Sequence, residues 1–500
     1  MRETEKNRNT YGGIFKALAL FGGMKIIQII ISILRSKLIA VLIGPAGMGI
    51  NNLLRSTRDT LNHVTGCGLH TSAVREVAKS YHEGDQEAIN VTVTTLRGLV
   101  WFTGMIGAVL MIVFAEPLSQ FAFGNKDYTM AFRILSVTMI ILQHNTGQTV
   151  LMQGSFHYKD MARATLIGQI LSLVLTIPLY YFFREKGIVP ALVIAATVAM
   201  ILTKIYSKRV HYQKVKLTFK EYWKNGKGML SLGIVIAIGG QISNASSYLM
   251  NVIISRVGSL EAVGLYSAAM SIVNTYVFLV LSAMSTDYVP RLSAISGDDQ
   301  EQTKVINKQM EMVLIIITPL LVVFSVFAKE AILILYSAEF YSVIHMLEFL
   351  MFGMFFRAIS WCLSYAFIAR GDSKIFLINE CIMFFISLSL KYVGFYYGSY
   401  TGVGIAVIAI YIIYTLLMLL ISKRRFGFVL SKTFFKISVP SFIFCSLALV
   451  VSVAGNVHWW KYVIGIIILG VSIWFAYTEL DKRVHIKNAL LARISKTKNE

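Results

Sequence analysis

The chain has 500 residues, of which 56% are hydrophobic and only 15% are charged. Soluble chains carry about 25% charged residues, so this composition excludes an ordinary soluble globular protein. The formal net charge of +21 is high enough to suit nucleic acid. However, most lysines and arginines lie in a few loops between apolar runs, which indicates membrane topology and contact with anionic lipid. No nucleic-acid partner is predicted.

The apolar residues form many long runs, each close to the roughly 20 residues that a helix needs to cross a bilayer. They predict an all-α polytopic membrane protein with about fourteen transmembrane helices. The polar first ten residues lead into the first span without a small-residue cleavage site, so we predict no cleavable signal peptide. The predicted spans are 14–42, 50–74, 96–115, 130–153, 162–183, 188–206, 229–255, 262–288, 310–328, 342–368, 375–397, 402–421, 437–455 and 461–478.

Basic residues mark one side of the membrane. They are concentrated in the loops 204–227 and 422–436 and in the tail from Asp481. Cytoplasmic loops carry an excess of lysine and arginine, so these segments are predicted to be cytoplasmic. An even number of spans then places both termini in the cytoplasm.

Four short segments recur in the same order in the second half of the chain, which suggests two homologous helical bundles. The pairs are 43–50 with 256–266, 83–90 with 297–307, 122–130 with 335–343, and 154–162 with 369–376. Because each repeat has six spans, both halves have the same orientation in the membrane. The two halves are then related by an axis along the membrane normal. We therefore predict two pseudo-symmetric six-helix lobes around a central cavity. The predicted divisions are an N-terminal lobe (1–215), a C-terminal lobe (216–425), and two extra transmembrane helices with a basic cytoplasmic tail (426–500).

The first two spans contain cations at membrane depth. These are Lys25, Arg35, Lys37, Arg55 and Arg58, and the one nearby carboxylate is Asp59. A charge within a bilayer is costly, so it normally faces a protein interior or a water-filled cavity. The sequence therefore predicts a cationic site for an anionic ligand.

Helical spacing arranges these cations in polar stripes. Lys25, Gln28, Ser32 and Arg35 share one face of span 1, and Asn51, Arg55, Arg58 and Asn62 share one face of span 2. The alternative is that these groups only bond one helix to another, with Asp59 neutralising Arg55 or Arg58.

Further candidates extend the predicted substrate-binding set. Gln241, Asn244 and Asn251 in span 7 and Asn274 in span 8 suit either a hydroxyl-rich ligand or bonding between helices. Arg357 either extends the cationic lining or places its charge at the interface.

Titratable side chains in or near the spans supply candidates for coupling to an ion. These candidates are Asp59, His63, His144 and Asp287. The four cysteines show no ligand spacing, and neither a metal nor a cofactor is predicted. No paired acids or histidine cluster indicates catalysis, so the chain is predicted not to be an enzyme.

A specific resemblance lies in residues 38–78. The turn Gly44-Pro45-Ala46-Gly47, the asparagine-rich start of the next helix with Arg55, and the exit 74–78 closely resemble the opening hairpin of Wzx-type flippases. These proteins are the O-antigen and common-antigen lipid flippases, in the polysaccharide transporter family of the multidrug/oligosaccharidyl-lipid/polysaccharide exporter superfamily. The likeness extends more weakly over residues 10–430, through 122–130 and 287–293.

The resemblance implies a protein of the bacterial cytoplasmic (inner) membrane that moves undecaprenyl-pyrophosphate-linked oligosaccharide to the periplasmic leaflet by alternating access. It also implies contact with membrane lipid. The candidate protein partners are a polysaccharide polymerase and chain-length proteins. The related lipid II flippases have functional arginines at the motif positions of Arg35 and Arg55. An arginine that those relatives use in span 8 has no counterpart, and Asn274 stands where some common-antigen flippases have Asp.

Two other functions fit a polytopic helical protein. A cation-coupled multidrug antiporter of the same superfamily needs membrane-embedded carboxylates, for which the spans offer Asp59, Glu348 and Glu380. A polysaccharide polymerase or ligase would carry a sizeable periplasmic loop, and the sequence predicts none.

Overall fold

The computed structural model describes the backbone of residues 2–295, 297–455 and 459–484. Side chains are described from residue 27 onward, except at positions 219, 235, 236, 238–241, 243, 286, 373 and 484. Within these residues the chain forms α-helices and no β-strands. Nine stretches of the described chain are long and apolar enough to cross a membrane, which confirms the predicted all-α polytopic class.

Three of the nine stretches contain a backbone break. Ile27–Thr65 is broken at Gly44, Tyr158–Ser207 at the 3-10 turn Arg184–Gly187, and Lys374–Phe426 at Ser399. Each of these stretches is 39 to 53 residues long, enough for two crossings of a bilayer. The exact count of fourteen spans stays a prediction.

The chain divides into two compact units. The first unit comprises residues 1–264 and 335–337. Its helices are α1 (Arg2–Thr65), α2 (Leu69–Glu83), α3 (Gln86–Val113), α4 (Ala115–Phe123), α5 (Thr129–Gly154), α6 (Tyr158–Phe183), α7 (Ile188–Ser207) and α8 (Phe219–Val257). Helix α9 (Leu260–Ile272) begins in this unit and continues into the second. A buried cluster that includes Leu69, Leu96 and Leu151 joins α2, α3 and α5.

Predicted spans 1 and 2 form one interrupted helix. The break in α1 occurs at Gly44, whose φ of 66° lies in the left-handed region that glycine tolerates best. Pro45 follows and cannot donate a backbone hydrogen bond, so the regular helix cannot continue through this point. Beyond the break the helix ends at Thr65, earlier than the predicted end of span 2, and α2 begins at Leu69.

The segment after the break packs tightly against the start of α9. A Cβ atom on Gly49 would lie 1.8 Å from the Leu260 carbonyl oxygen, and one on Gly264 would lie 1.9 Å from the Pro45 carbonyl oxygen. The two backbones can approach this closely only because both positions lack a side chain.

The second unit comprises residues 265–334 and 338–500. Its helices are α10 (Phe278–Ala294), α11 (Asp299–Val326), α12 (Ala328–Leu335), α13 (Ile344–Ala369), α14 (Ser373–Phe426), α15 (Lys432–Ala454) and α16 (Trp460–Val484), with a π-helical turn at Val273–Val277 and a 3-10 turn at Ala338–Val343. Leu335, the last residue of α12, belongs to the first unit. Helices α15 and α16 pack on α11 through a buried cluster that includes Val322, Ala448 and Ile468.

Ion pairs hold both ends of α16 to the second unit. Near its start, the Lys461 Nζ lies 3.3 Å from the Glu348 Oε1 on α13, and both side chains are buried. At its other end, an Arg483 Nη lies 3.2 Å from the Glu311 Oε2 on α11. The predicted extra helices are thus firmly attached to α11 and α13. The predicted three-part division at residues 215 and 425 stays a prediction.

Candidate functional site

The break in α1 brings two distant arginines together. Arg35 precedes Gly44 and Arg55 follows it, and in a straight helix their Cα atoms would be about 30 Å apart. Instead, Arg35 interacts electrostatically with both Arg55 and Arg58. The two arms of α1 therefore face each other, and their cations form one cluster.

Asp59 is shared by two arginines of this cluster. Its Oδ1 accepts hydrogen bonds from Arg58 at 3.0 Å (Nε) and 2.7 Å (Nη2), and its Oδ2 lies 3.5 Å from the Arg55 Nε. The Arg58 side chain is 8% exposed and the Arg55 side chain 52%. Arg58 is therefore committed to a contact within the protein, while about half of the Arg55 side chain remains accessible.

Arg35 has no carboxylate within ion-pairing distance among the described residues. It also interacts electrostatically with Tyr180 on α6, a buried side chain that interacts in the same way with Arg55. Sequence reasoning missed Tyr180, because its distance along the chain gives no signal that α6 meets α1.

The cluster consists of three arginines and one carboxylate, so it carries excess positive charge. Guanidinium groups bind phosphate through paired N–H donors, and they do so more strongly where water is scarce. No group of three or more metal-ligating side chains occurs in the described part of the chain. The chemistry that this arrangement supports is the binding of an anion.

The two asparagines predicted on the same stripe have different environments. Asn51 is buried, and its Oδ1 has no hydrogen-bond partner among the described atoms. Asn62 accepts hydrogen bonds from the Gln143 Nε2 on α5, at 3.1 Å to its carbonyl oxygen and 3.0 Å to its Oδ1. Asn62 thus bonds one helix to another, which is the alternative role that the sequence left open.

The histidine candidates lie in separate environments. The His63 ring centroid is 6.1 Å from that of His70 in an edge-to-face arrangement. The His144 Nε2 lies 3.3 Å from the Gln148 Nε2, and its ring centroid is 5.8 Å from that of Trp101. Neither His63 nor His144 contacts a described carboxylate, and their coupling role stays a prediction.

Arg357 lies inside the second unit, among aromatic rings. Its guanidinium carbon is 5.5 Å from the Phe278 ring centroid and 5.4 Å from that of Tyr411, both within cation–π range. It also interacts electrostatically with Lys391 on α14. No described carboxylate pairs with Arg357, so the second unit contains its own cationic position.

The remaining predicted residues do not form a single cluster. Asn274 is exposed in the π-helical turn, and Asp287 is exposed on α10, where it pairs with Arg291 at 3.4 Å. Asn244 is exposed and Asn251 is half-buried on α8. Lys25 and Gln241 lie outside the described side chains.

All three carboxylates considered for a cation antiporter are engaged by the protein. Asp59 is shared by Arg55 and Arg58. Glu348 contacts both Lys461 and His345, and Glu380 accepts a hydrogen bond of 2.8 Å from the Tyr414 hydroxyl.

Fold and site together define a multi-pass helical membrane protein that presents a cluster of arginines within its membrane-spanning segments. Residues 38–345 match the model of a family described as polysaccharide biosynthesis protein, and the chain belongs to this family. The match includes Arg55, Arg58, Asp59 and Tyr180, and begins just after Arg35.

Individual comparisons agree with this family. The chain is 23% identical over 401 residues to the lipid III flippase of Escherichia coli K12, covering 78% of this chain and 93% of that one. A candidate O-antigen transporter of Shigella flexneri is 22% identical over 358 residues, covering 70% and 83% of the two chains. Among solved structures, the lipid II flippase MurJ in an inward closed conformation has a TM-score of 0.71 at 16% identity, covering 93% and 99%. This last likeness confirms the fold.

Proposed function

We propose that this protein is a flippase that carries an oligosaccharide linked to undecaprenyl pyrophosphate across the bacterial inner membrane. It takes the lipid from the cytoplasmic leaflet and releases it to the periplasmic leaflet by alternating access. The names of the flippase and transporter relatives support this proposal, and none of them is an enzyme. Both termini lie in the cytoplasm, according to the distribution of basic loops.

One observation carries the proposal. Arg35, Arg55 and Arg58 interact electrostatically within one helix that spans the membrane, with Asp59 as the single ion-paired carboxylate described there. Such an excess of positive charge is unfavourable in a bilayer unless an anion visits it. A pyrophosphate is a small and strongly anionic group that matches several guanidinium groups at once.

The structure supports different roles for the three arginines. Arg35 lacks a described carboxylate partner, and Arg55 has a half-exposed side chain with one longer contact to Asp59. These two groups are available to a ligand. Arg58 is buried against Asp59 and positions that carboxylate. The polyprenyl chain needs no polar contact, because it can remain in the surrounding lipid.

The test compares charge removal at the cluster with charge removal elsewhere in the same unit. We would replace Arg35→Ala, Arg55→Ala and both together. Arg163→Ala is the matched control, because this arginine of α6 is exposed and forms no ion pair in the described structure. Purified variants would be reconstituted in vesicles with undecaprenyl-pyrophosphate-linked oligosaccharide in one leaflet. Transfer would be measured by the oligosaccharide that becomes accessible to a membrane-impermeant glycosidase.

A hydrogen bond to a charged group contributes about 1.5–3 kcal/mol, so each single variant should lower substrate affinity by about 10- to 150-fold. The double variant should show no measurable transfer at substrate concentrations that saturate the wild type, while the control transfers normally. Normal transfer by a correctly inserted double variant would refute the proposed role of the cluster.

A further inference from the structure

A second cationic site lies in the other unit, away from the break in α1. A cavity of about 870 Å³ opens where the first turns of α11 meet the start of α15 and the end of α16. Its charged lining is five cations and two carboxylates: Arg291, Lys304, Lys308, Lys482, Arg483, Glu311 and Glu479. The proposed transport function does not use this cavity.

The two carboxylates of the lining are already engaged by other residues of the protein. The Glu479 carboxylate accepts hydrogen bonds from Lys482 at 2.6 Å and from Arg483 at 2.5 Å. The Glu311 carboxylate accepts one from Arg483 at 3.2 Å and one from the Ser431 hydroxyl, also at 3.2 Å. These contacts balance Glu479 and Glu311 with Lys482 and Arg483. The acids are therefore structural, and they leave the other cations of the lining in excess.

The remaining cations of the lining are Arg291, Lys304 and Lys308. Their ion pairs are with carboxylates outside the cavity, Arg291 with Asp287 at 3.4 Å and Lys304 with Glu301 at 3.2 Å, and Arg291 also donates a hydrogen bond of 3.1 Å to the neutral Gln309 amide of the lining. Exposed pairs of this kind contribute little and exchange readily with an incoming anion. Lys308 is exposed and has no ion-pair partner in the described structure. Three cations thus remain available to one ligand.

The position of the cavity indicates a lipid ligand. It lies at the ends of three helices that are long and apolar enough to cross a membrane. The ends of such helices lie near the phospholipid headgroups. The apolar side chain of Val429 is 64% exposed at this cavity, and α15 continues from it with Phe435 and Val439 exposed on one face. Acyl chains can pack on such a face while the phosphate occupies the cavity.

We propose that this cavity binds the phosphate headgroup of an anionic phospholipid. Arg291, Lys304 and Lys308 contact the phosphate, and the exposed face of α15 contacts the acyl chains. With the predicted orientation, the lipid belongs to the cytoplasmic leaflet. Basic pockets between transmembrane helices on that side of a membrane are suited to anionic headgroups. The site anchors α15 and α16 to the leaflet boundary.

The test measures binding of short-chain phosphatidylglycerol to the purified full-length protein in detergent, with phosphatidylcholine and inorganic phosphate as separate arms. The triple variant Arg291→Gln, Lys304→Gln, Lys308→Gln removes the available cations. The matched control removes three exposed lysines of the first unit, by Lys214→Gln, Lys216→Gln and Lys220→Gln. Elution volume and circular dichroism verify folding, and Lys308→Gln alone is a milder second variant.

Each cation near an anionic lipid contributes about five-fold in affinity, so the triple variant should bind phosphatidylglycerol about 100-fold more weakly. Lys308→Gln should lose about five-fold, and the control should change by less than about two-fold. Equal loss in the control would overturn the proposal, as would equal binding of phosphatidylcholine. If inorganic phosphate alone binds as strongly as phosphatidylglycerol, and loses this binding in the triple variant, then the site takes a soluble anion instead of a lipid. The triple variant should still transfer the lipid-linked oligosaccharide in the vesicle assay, which separates this test from that of transport.

Discussion

Loss of Lys461 should destabilise the second unit more than loss of any exposed charge. The side chains of Lys461 and Glu348 are 3% and 0% exposed, and their charged atoms are 3.3 Å apart. Among the described residues, the Glu348 carboxylate in Lys461→Ala keeps His345 as its ion-pairing partner, at 2.9 Å. Breaking one side of a buried pair costs about 3–5 kcal/mol, because an uncompensated charge remains in a medium of low polarity.

The double replacement Lys461→Met with Glu348→Leu should recover most of this loss. Apolar groups of similar volume remove both charges, and such exchanges are often neutral or stabilising. Thermal unfolding of the purified protein in one detergent would compare wild type, each single variant and the double variant. A protein of two units need not unfold in one step, so the variants are compared by the ranking of their unfolding midpoints and not by a derived free energy. A double variant no more stable than Lys461→Ala would refute the buried-pair argument. Lys329→Ala is the control for charge removal in the same unit, since its cation lies over the Tyr341 ring without an ion-pair partner among the described residues.

Two further predictions follow from the first unit. Gly49→Ala should lower the yield of folded protein sharply, since its Cβ would lie 1.8 Å from the Leu260 carbonyl oxygen. The control Gly228→Ala should be tolerated, because its Cβ meets no atom within 4 Å. Equal yields of the two variants, measured by fluorescence-detected size exclusion, would contradict the close approach. Arg58→Ala should reduce thermal stability more than Arg55→Ala but reduce lipid transfer less, because Arg58 is 8% exposed and Arg55 is 52% exposed. The reverse order in the same vesicle assay would assign Arg58 to the ligand.

Hydropathy and helical periodicity were sufficient to predict the class of fold. Long apolar runs identify membrane-spanning helices, because lipid offers no hydrogen-bond partners and a helix satisfies its own backbone hydrogen bonds within one segment. The break at Gly44 was visible as a glycine followed by a proline, and it was placed between two spans. The sequence did not reveal that the helix resumes immediately, since a kink and a short loop have the same composition.

The candidate site was predicted in part. Spacing placed Arg35 on one arm of α1 and Arg55 on the other, but periodicity describes only one helix at a time. It therefore could not identify Tyr180, which approaches from α6, nor the Gln143 amide that bonds Asn62 from α5. Contacts between helices depend on tertiary packing, and a single sequence does not show which residues of two helices meet.

The charge balance around Asp59 explains why a cluster of cations can exist in the unliganded protein. With no carboxylate at all, three neighbouring arginines in a poorly solvated place would repel one another and disfavour the arrangement of the two arms. With a carboxylate for each arginine, no net charge would remain for an anion. One carboxylate shared between Arg58 and Arg55 is an intermediate case. Its contacts of 2.7 and 3.5 Å stabilise the second arm of α1, while Arg35 on the first arm has no ion-paired carboxylate among the described residues. An arriving phosphate would then supply the missing negative charge between the arms, so ligand binding and the approach of Arg35 to Arg55 favour each other.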